Sequence, residues 1–309
     1  MTVLVLTCEA DVTADMVVAE LHEQGVPLVR FDPGDLPGGG ALSAEYVRGE
    51  FRGYLSSGGR VASMQGLRSV WVRRPSEPAA HAPEPSDWLT VESAHALYGM
   101  LDSTAARWMN HPSAAAKARR KPWQLRIAHQ SGFPVPATLL TTHPTMARQF
   151  AEQYRHVVVK SVSGKSPGNP PMALPTTLVP PDADFSGVAA APTMLQRYIA
   201  KRADIRLTSV GDQHFAARKA AEPGQVDGRY GDTGHEWQPV EVPVQVARAV
   251  ETYKKHAELA YGAFDFAEDS SGTWWFLECN QGGQFGFVEL ETGLPIARAV
   301  ASWLGQDPM

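Results

Sequence analysis

The sequence predicts a mixed α/β protein of two or three domains, and three observations point there. A chain of 309 residues is long enough to bury several cores. Its opening residues read as apolar strand, helix and second strand. Farther on, β-branched or aromatic runs such as His156 to Lys160 and Phe264 to Ala267 alternate with stretches of helical periodicity.

In order, Val3 to Leu6 predicts a strand, Ala14 to Gln24 a helix with Thr13 as N-cap and Gly25 past its end, and Pro27 to Phe31 a further strand. No G-x-G-x-x-G follows the first strand, so no dinucleotide site is indicated there. Gly34 to Gly40 reads as a loop. Leu42 to Ser56 and Arg60 to Ser63 read as a hairpin around Ser57-Gly58-Gly59, and Ser69 to Arg73 as a strand. Ser86 is placed to cap a helix from Asp87 to about Met109, with Trp88, Val91, Leu97, Tyr98 and Leu101 on its core face. Asn110-His111-Pro112 reads as a linker. A short helix closed by Gly132 follows, then a helix over Pro144 to Tyr154 and the strand ending at Lys160. The segment Thr193 to Ile199 is a strand running into a turn, Leu207 to Val210 pairs with His214 to Arg218, Pro243 to Ala260 is helical, and Pro295 to Leu304 is the closing helix.

Composition narrows the function classes. The formal net charge is -5 with Lys and Arg dispersed, which gives a nucleic-acid partner no electrostatic support. The two cysteines, Cys8 and Cys279, form no C-x-x-C pattern, so neither a disulfide framework nor a cysteine zinc site is suggested and a reducing cytoplasm fits. The start lacks a basic n-region, and no apolar run reaches membrane-spanning length. No internal repeat is visible, and the ten histidines show no metal-ligand spacing.

The stretch Tyr261 to Val288 carries the chemistry. Phe264 to Ala267 and Thr273 to Glu278 predict a hairpin around Glu268 to Gly272. Strand alternation puts Phe276, Glu278 and Asn280 on one face and Trp275, Leu277 and Cys279 on the other. Carboxylates among such apolar neighbours are costly to desolvate unless paired. One reading makes them residues on the wet face of a sheet. The other makes Asp265, Glu278 and Asn280 an all-oxygen ligand set suited to Mg²⁺, and hence a nucleotide-phosphate site.

The pattern of Asp265, Phe276-Leu277-Glu278, Asn280 and Gly283-Gln284 resembles the metal-binding end of an ATP-grasp ligase. Further motifs fit the same family in the same order. Lys121 stands before Gln124-Leu125 and Gly132-Phe-Pro-Val-Pro136, where the family has its first phosphate lysine, with Lys117 a weaker contender; charge runs of this kind are otherwise solvated faces. Lys160 is similar to the second phosphate lysine, though a lysine ending such a strand can also snorkel to solvent. The donor-rich loop after it resembles the mobile lid, with a proline-rich excursion from Pro167 to Pro181 that departs from the glycine loops of relatives. Gln196, Arg197, Tyr198 and Ile199 resemble the hinge that binds adenine, and Asp204-Ile205-Arg206 the motif whose Asp faces ribose and whose Arg faces the reaction centre.

The resemblance implies an ATP-grasp fold with an N-terminal pre-ATP-grasp α/β domain over 1–112, a central lobe with the phosphate loop over 113–195, and a C-terminal lobe with the Mg²⁺ site over 196–309. It implies ATP and Mg²⁺ as cofactors and carboxylate activation as the chemistry, with Arg206, Arg218 and Arg229 on the acyl-phosphate oxygens. Trp71 to Pro75, Gly283 to Phe287 and Thr292 to Ile296 resemble the peptide-modifying branch, the graspetide or microviridin-type synthetases. Arg73 and Arg74 are then read either as a solvated strand edge or, with Gln284, as contacts to an acidic substrate. Gln281 stands where many relatives have proline.

That branch implies a cytoplasmic macrocyclase acting on a ribosomally made precursor peptide with a leader and an acidic core. It joins Asp or Glu side chains to Ser, Thr or Lys; relatives are often homodimers. A ligase of the ribosomal-protein glutamate ligase type and a non-catalytic nucleotide- and peptide-binding partner are the alternatives.

Overall fold

The computed structural model describes residues 1–164, 174–180, 182–228 and 235–307. In chain order the strands and helices are β1 (Thr2–Leu6), α1 (Val12–Glu23), β2 (Leu28–Phe31), β3 (Gly40–Val47), β4 (Glu50–Ser57), β5 (Arg60–Ser63), β6 (Leu67–Val72), α2 (Asp87–Asp102) and β7 (Arg107–Met109). There follow α3 (Pro112–Ala118), α4 (Lys121–Gln130), β8 (Thr138–Thr141), α5 (Pro144–Tyr154), β9 (Val157–Lys160), β10 (Thr177–Leu178) and β11 (Thr193–Arg197). The last set is β12 (Lys201–Val210), β13 (Gln213–Ala220), β14 (Gln238–Val240), α6 (Val244–Ala257), β15 (Tyr261–Asp269), β16 (Trp274–Asn280), α7 (Gly286–Thr292) and α8 (Ile296–Gly305). Among the described residues no helix is long and apolar enough to cross a membrane.

The first sheet is parallel with strand order β2-β1-β6-β7. One face buries Val3 and Val5 against Val17 and Leu21 of α1 and Val300 and Leu304 of α8, so the last helix completes the first domain's core. The other face buries Leu4, Leu6 and Val70 under Leu97 and Leu101 of α2 and under Leu55 and Ala62 of a three-stranded antiparallel sheet. Several boundaries differ from the sequence reading. Asp11, not Thr13, caps α1: its Oδ1 accepts from the Thr13 and Ala14 amides at 3.2 and 3.3 Å, while Thr13 lies inside the helix, buried. The stretch read as one strand from Leu42 to Ser56 is itself a hairpin, turning at Arg48 and Gly49, both with positive φ. Helix α2 starts after Ser86 as expected, its Oγ accepting from Leu89 N, but stops at Asp102 because Arg107–Met109 pairs with β6. Trp88 and Val91, expected in the core, are exposed on the first turns of α2.

The second sheet, antiparallel β10-β9-β11-β8, packs Val157 and Leu195 on Ala147 of α5. The third, antiparallel β14-β13-β12-β15-β16, has two unlike faces. One buries Ile205, Leu207, Phe264, Phe266 and Phe276 beneath α4, α6 and the ring of Phe133, which stacks on Phe276 at 5.7 Å. The other turns Asp204, Arg206 and Asp265 toward the cleft, by strand alternation.

Asn110, expected as linker, is a buried tie between these bodies. With φ of 64°, a conformation Asn tolerates better than most residues, it accepts from the Ala260 and Tyr261 amides at 2.9 and 3.0 Å. It donates to the carbonyls of Tyr261 and Gln281, both at 2.7 Å. Replacing it strands four backbone groups, three of them buried and costly when unsatisfied. Asn110→Ala should lower unfolding stability by roughly 2–4 kcal/mol, and Asn110→Asp by at least as much, because a carboxylate oxygen would replace the donor that faces the Tyr261 and Gln281 carbonyls. Urea midpoints measure both; an alanine variant as stable as the parent would contradict the tie.

Candidate active site

Strand register assembles the core of the site. Arg206 on β12 lies opposite Asp265 on β15, which lies opposite Glu278 on β16, so three charged side chains form one row across three strands. Arg206 Nη1 donates to Asp265 Oδ1 at 2.7 Å. At the other end Lys121 Nζ, at the start of α4, stands 3.4 Å from Glu278 Oε2 and donates to the Ser161 carbonyl at 3.0 Å. The row thus reads cation, anion, anion, cation. Asn280 Nδ2 leans on both carboxylates, 3.2 Å from Asp265 Oδ2 and 3.3 Å from Glu278 Oε1.

The expected alternation along β16 fails at one place. A register shift between Asp265 and Phe266 leaves Leu277 as the extra residue, since Asp265 faces Glu278 while Phe266 faces Phe276. Phe276 therefore joins Cys279 in the buried core, and Glu278 and Asn280 face the cleft without it.

Burial pushes the Asp265 carboxyl above the usual carboxylate range despite Arg206, and the charge of Glu278 adds to the rise. Burial also works against the Glu278 anion, but Lys121 and Lys160 outweigh it and hold that group below its ordinary value. Burial lowers the Lys160 ammonium to about 8, with Glu278 opposing the shift and Lys121 adding to it. Two carboxylates facing one another across a ladder, one of them reluctant to ionise, form a donor set that fits a divalent cation. Among the described residues no group of three or more His, Cys, Asp or Glu could hold a metal. Asp265, Glu278 and the Asn280 amide oxygen, after rotation, suit Mg²⁺, which takes its other ligands from water and phosphate.

The loop after β16 is held by its carbonyls. Gln281 O accepts from Asn110, Gly282 O from Arg73 Nη1 at 2.5 Å, Gly283 O from the Tyr261 hydroxyl at 2.7 Å and Gln284 O from Arg206 Nη2 at 2.8 Å. Gly283 is required by closeness: a Cβ there would lie 2.6 Å from Ala263 Cβ and 3.0 Å from Arg206 Nη2. Gln281 ties the loop to α3 and β16, its Nε2 donating to the Ala118 and Cys279 carbonyls at 2.6 and 2.8 Å. Gln124 secures the same point from α4, bonding both the N–H and the C=O of Cys279.

The other expected residues divide. Lys160 ends β9 within the field of Glu278 and Lys121, on a cavity of about 1040 Å³ that Arg119, Arg120, Lys121 and Ser161 also line. Gln196 is buried and donates to Thr138 Oγ1 at 2.9 Å, so it holds strands together. The amides of Arg197 and Tyr198 bond the carbonyls of Ala137 and His156, which leaves Ile199 at the strand exit as the expected amide not used in this way. The Arg197 guanidinium lies 5.8 Å over the Trp275 ring. Both Asp204 oxygens are taken by Lys201 Nζ at 2.6 and 2.8 Å, and a Cβ on Gly228 would sit 2.2 Å from Oδ2. A ribose at Asp204 therefore needs the 226–228 segment to move.

Arg218 does not join Arg206. It pairs with Ile205 across the ladder while Arg206 pairs with Ala217, so the two leave opposite faces, and Arg218 Nε donates to Glu268 Oε2 at 2.7 Å. Arg229, and the 165–173 part of the expected lid, lie outside the described residues. Residues missed from sequence are Asn110, Tyr261 and Lys201; of these only Lys201, three before Asp204 on a strand of basic and acidic residues, carried a signal.

The folded Lys160 value of about 8 lies below the ordinary lysine value of 10.5, so the charged amine costs stability in full below pH 8 and not at all above about 10.5. Lys160→Met should therefore stabilise the ligand-free protein near pH 7 by about 1–2 kcal/mol, and the difference should fade as pH rises through 8 toward 10. Denaturation midpoints across that range check it; a difference that grows with pH would contradict it.

With the geometry in place, comparison with known proteins is informative. Residues 2–116 match the family model of the MvdD pre-ATP grasp domain. The whole fold is similar to that of macrocyclase MdnC from Microcystis aeruginosa MRC, with TM-score 0.86, 26% identity, and 98% of this chain and 99% of that chain covered. It is similar also to a Chryseobacterium gregarium RiPP-associated ATP-grasp ligase, with TM-score 0.85, 24% identity, and 98% and 96% covered. For the ATP-grasp ligase PsnB the values are TM-score 0.76, 20% identity, and 98% and 96% covered. No curated protein matches by sequence. Residues 2–116 thus match an MvdD-type pre-ATP-grasp domain, and over nearly its full length the chain has the fold of the ribosomal-peptide ATP-grasp ligases.

Proposed function

We propose that the protein is an ATP- and Mg²⁺-dependent ligase that activates Asp or Glu side chains of a leader-bearing ribosomal precursor peptide and closes ester or amide macrocycles with Ser, Thr or Lys. The observation that carries this is the row of Arg206, Asp265, Glu278 and Lys121, with Lys160 in its field. Support comes also from relatives: MdnC is a macrocyclase bound with precursor peptide MdnA, the Chryseobacterium ligase was solved with ADP and a leader and core peptide, and PsnB with minimal precursor, Mg and ADP.

When bound, Mg²⁺-ATP supplies the phosphoryl group that turns a carboxylate into an acyl phosphate. The protein's own work is positioning and charge. Asp265, Glu278 and Asn280 would hold the metal, and Lys121 and Lys160 would face phosphate oxygens from the opposite side. Arg206 is already aligned by Asp265 and by the Gln284 carbonyl, and its guanidinium stays protonated, so it can neutralise developing charge without a proton step. Among the described residues Arg206 faces this cleft and Arg218 does not, while Arg229 lies outside them.

The test is to incubate the protein with Mg²⁺-ATP and a leader-bearing acidic precursor peptide, and to weigh the peptide. Loss of water per ring is expected. A mass gain would replace the macrocyclase with an amine ligase, and an unchanged mass would leave a binding partner. Glu278→Gln should reduce the rate by about a hundredfold or more with thermal stability retained; full activity would sink the metal assignment.

A further inference from the structure

In the first sheet the chain leaves β1 to build β2 on one side and returns to build β6 and then β7 on the other. The crevice between the carboxyl ends of β1 and β6 is therefore a topological switch point, where open parallel sheets hold their ligands. That crevice holds Asp11 from the β1 side and Arg73 and Arg74 from the β6 side, and it opens on the loop from Gly282 to Gln284.

The two arginines do different things. Arg73 is 7% exposed, its Nη1 on the Gly282 carbonyl and its Nε 3.5 Å from Asp11 Oδ2. Its Nε and Nη2 nonetheless lack a hydrogen bond, an uncommon state for buried donors. Arg74 is exposed and forms no ion pair among the described residues. With the Gln284 amide turned so that its oxygen faces the guanidinium, that oxygen accepts from Arg74 Nη1 at 3.0 Å and Nη2 at 3.3 Å. A neutral amide oxygen thus occupies the fork where a carboxylate would bind more strongly. Charge points the same way. Arg73, Arg74 and Arg206 are set against Asp11 and Asp265, and Asp11 already caps α1.

We propose that Arg74, with Gln284 as a displaceable stand-in and Arg73 as buried support, is the subsite that receives the side-chain carboxylate of the peptide residue to be activated. This rests on the ligase reading above. Gln284 touches Arg74 through its side chain and Arg206 through its carbonyl, so a carboxylate on Arg74 is one residue from the arginine paired with Asp265. Asp and Glu are preferred over their amides, because a carboxylate meets each donor of the fork with its own anionic oxygen, whereas an amide brings one neutral oxygen and an N–H group that the fork cannot accept. Arg73 is a positioning residue that holds the Gly282 turn.

A double-mutant cycle tests this by measuring binding of the acidic peptide in the presence of Mg²⁺-ADP. Changing the reactive Glu of the peptide to Gln should weaken binding to the parent protein by about 10–100-fold and leave binding to the Arg74→Ala variant unchanged. Arg74→Lys should recover part of the loss, since an ammonium offers no fork. Gln284→Glu, which supplies a tethered carboxylate, should weaken the peptide as Arg74→Ala does, with ADP affinity kept in all three. Independent, additive losses, or equal loss of ADP affinity in Arg74→Ala, would overturn the subsite. Coupling without any mass change in the peptide would keep the subsite and sink the ligase reading, so the two failures are distinct.

Discussion

Two carboxylates facing each other across a β-ladder are the constraint on which the site depends. Asp265 and Glu278 are set opposite by register, and side by side in a partly buried cleft they repel. The fold tolerates them because Arg206 and Lys121 close the row at each end and Asn280 bridges the middle. Removing one cation without a compensating ligand would leave a desolvated charge, which is why such rows are expensive to build.

Holding that row still falls to parts of the chain far from it in sequence. Four successive carbonyls, Gln281 to Gln284, each take a donor from a different residue: Asn110 after β7, Arg73 after β6, Tyr261 on β15 and Arg206 on β12. Two of the four come from the N-terminal domain. The carboxylate row and the switch-point arginines are thereby tied to one loop, and Gly283 at its centre has no room for a side chain.

Much of this was legible in the sequence because the chemistry is written in local strings. Asp265, Glu278 and Asn280 lie where turn residues separate two aromatic strands, and Lys121 and Lys160 occupy an element start and end, positions that short-range patterns mark. What was not legible depended on pairing. A single extra residue at Leu277 moved Phe276 to the opposite face, and period-two reasoning has no means of seeing a bulge. Arg218 looked equivalent to Arg206 until register set it against Ile205. Trp88 and Val91 have helical spacing, yet the core contacts of α2 come from Leu97, Met100 and Leu101 in its later turns, which leaves the first turns exposed. Asn110 reads as linker because its four partners are backbone groups more than a hundred residues away.

The central claim is that the facing carboxylates exist to hold a divalent ion together with a nucleotide. Mn²⁺ in place of Mg²⁺ makes this directly observable, by its paramagnetic resonance titrated with and without ADP. The account predicts tight Mn²⁺ binding that requires ADP and is lost in Asp265→Asn and Glu278→Gln. Binding of Mn²⁺ and ADP that is undiminished in both variants would contradict it.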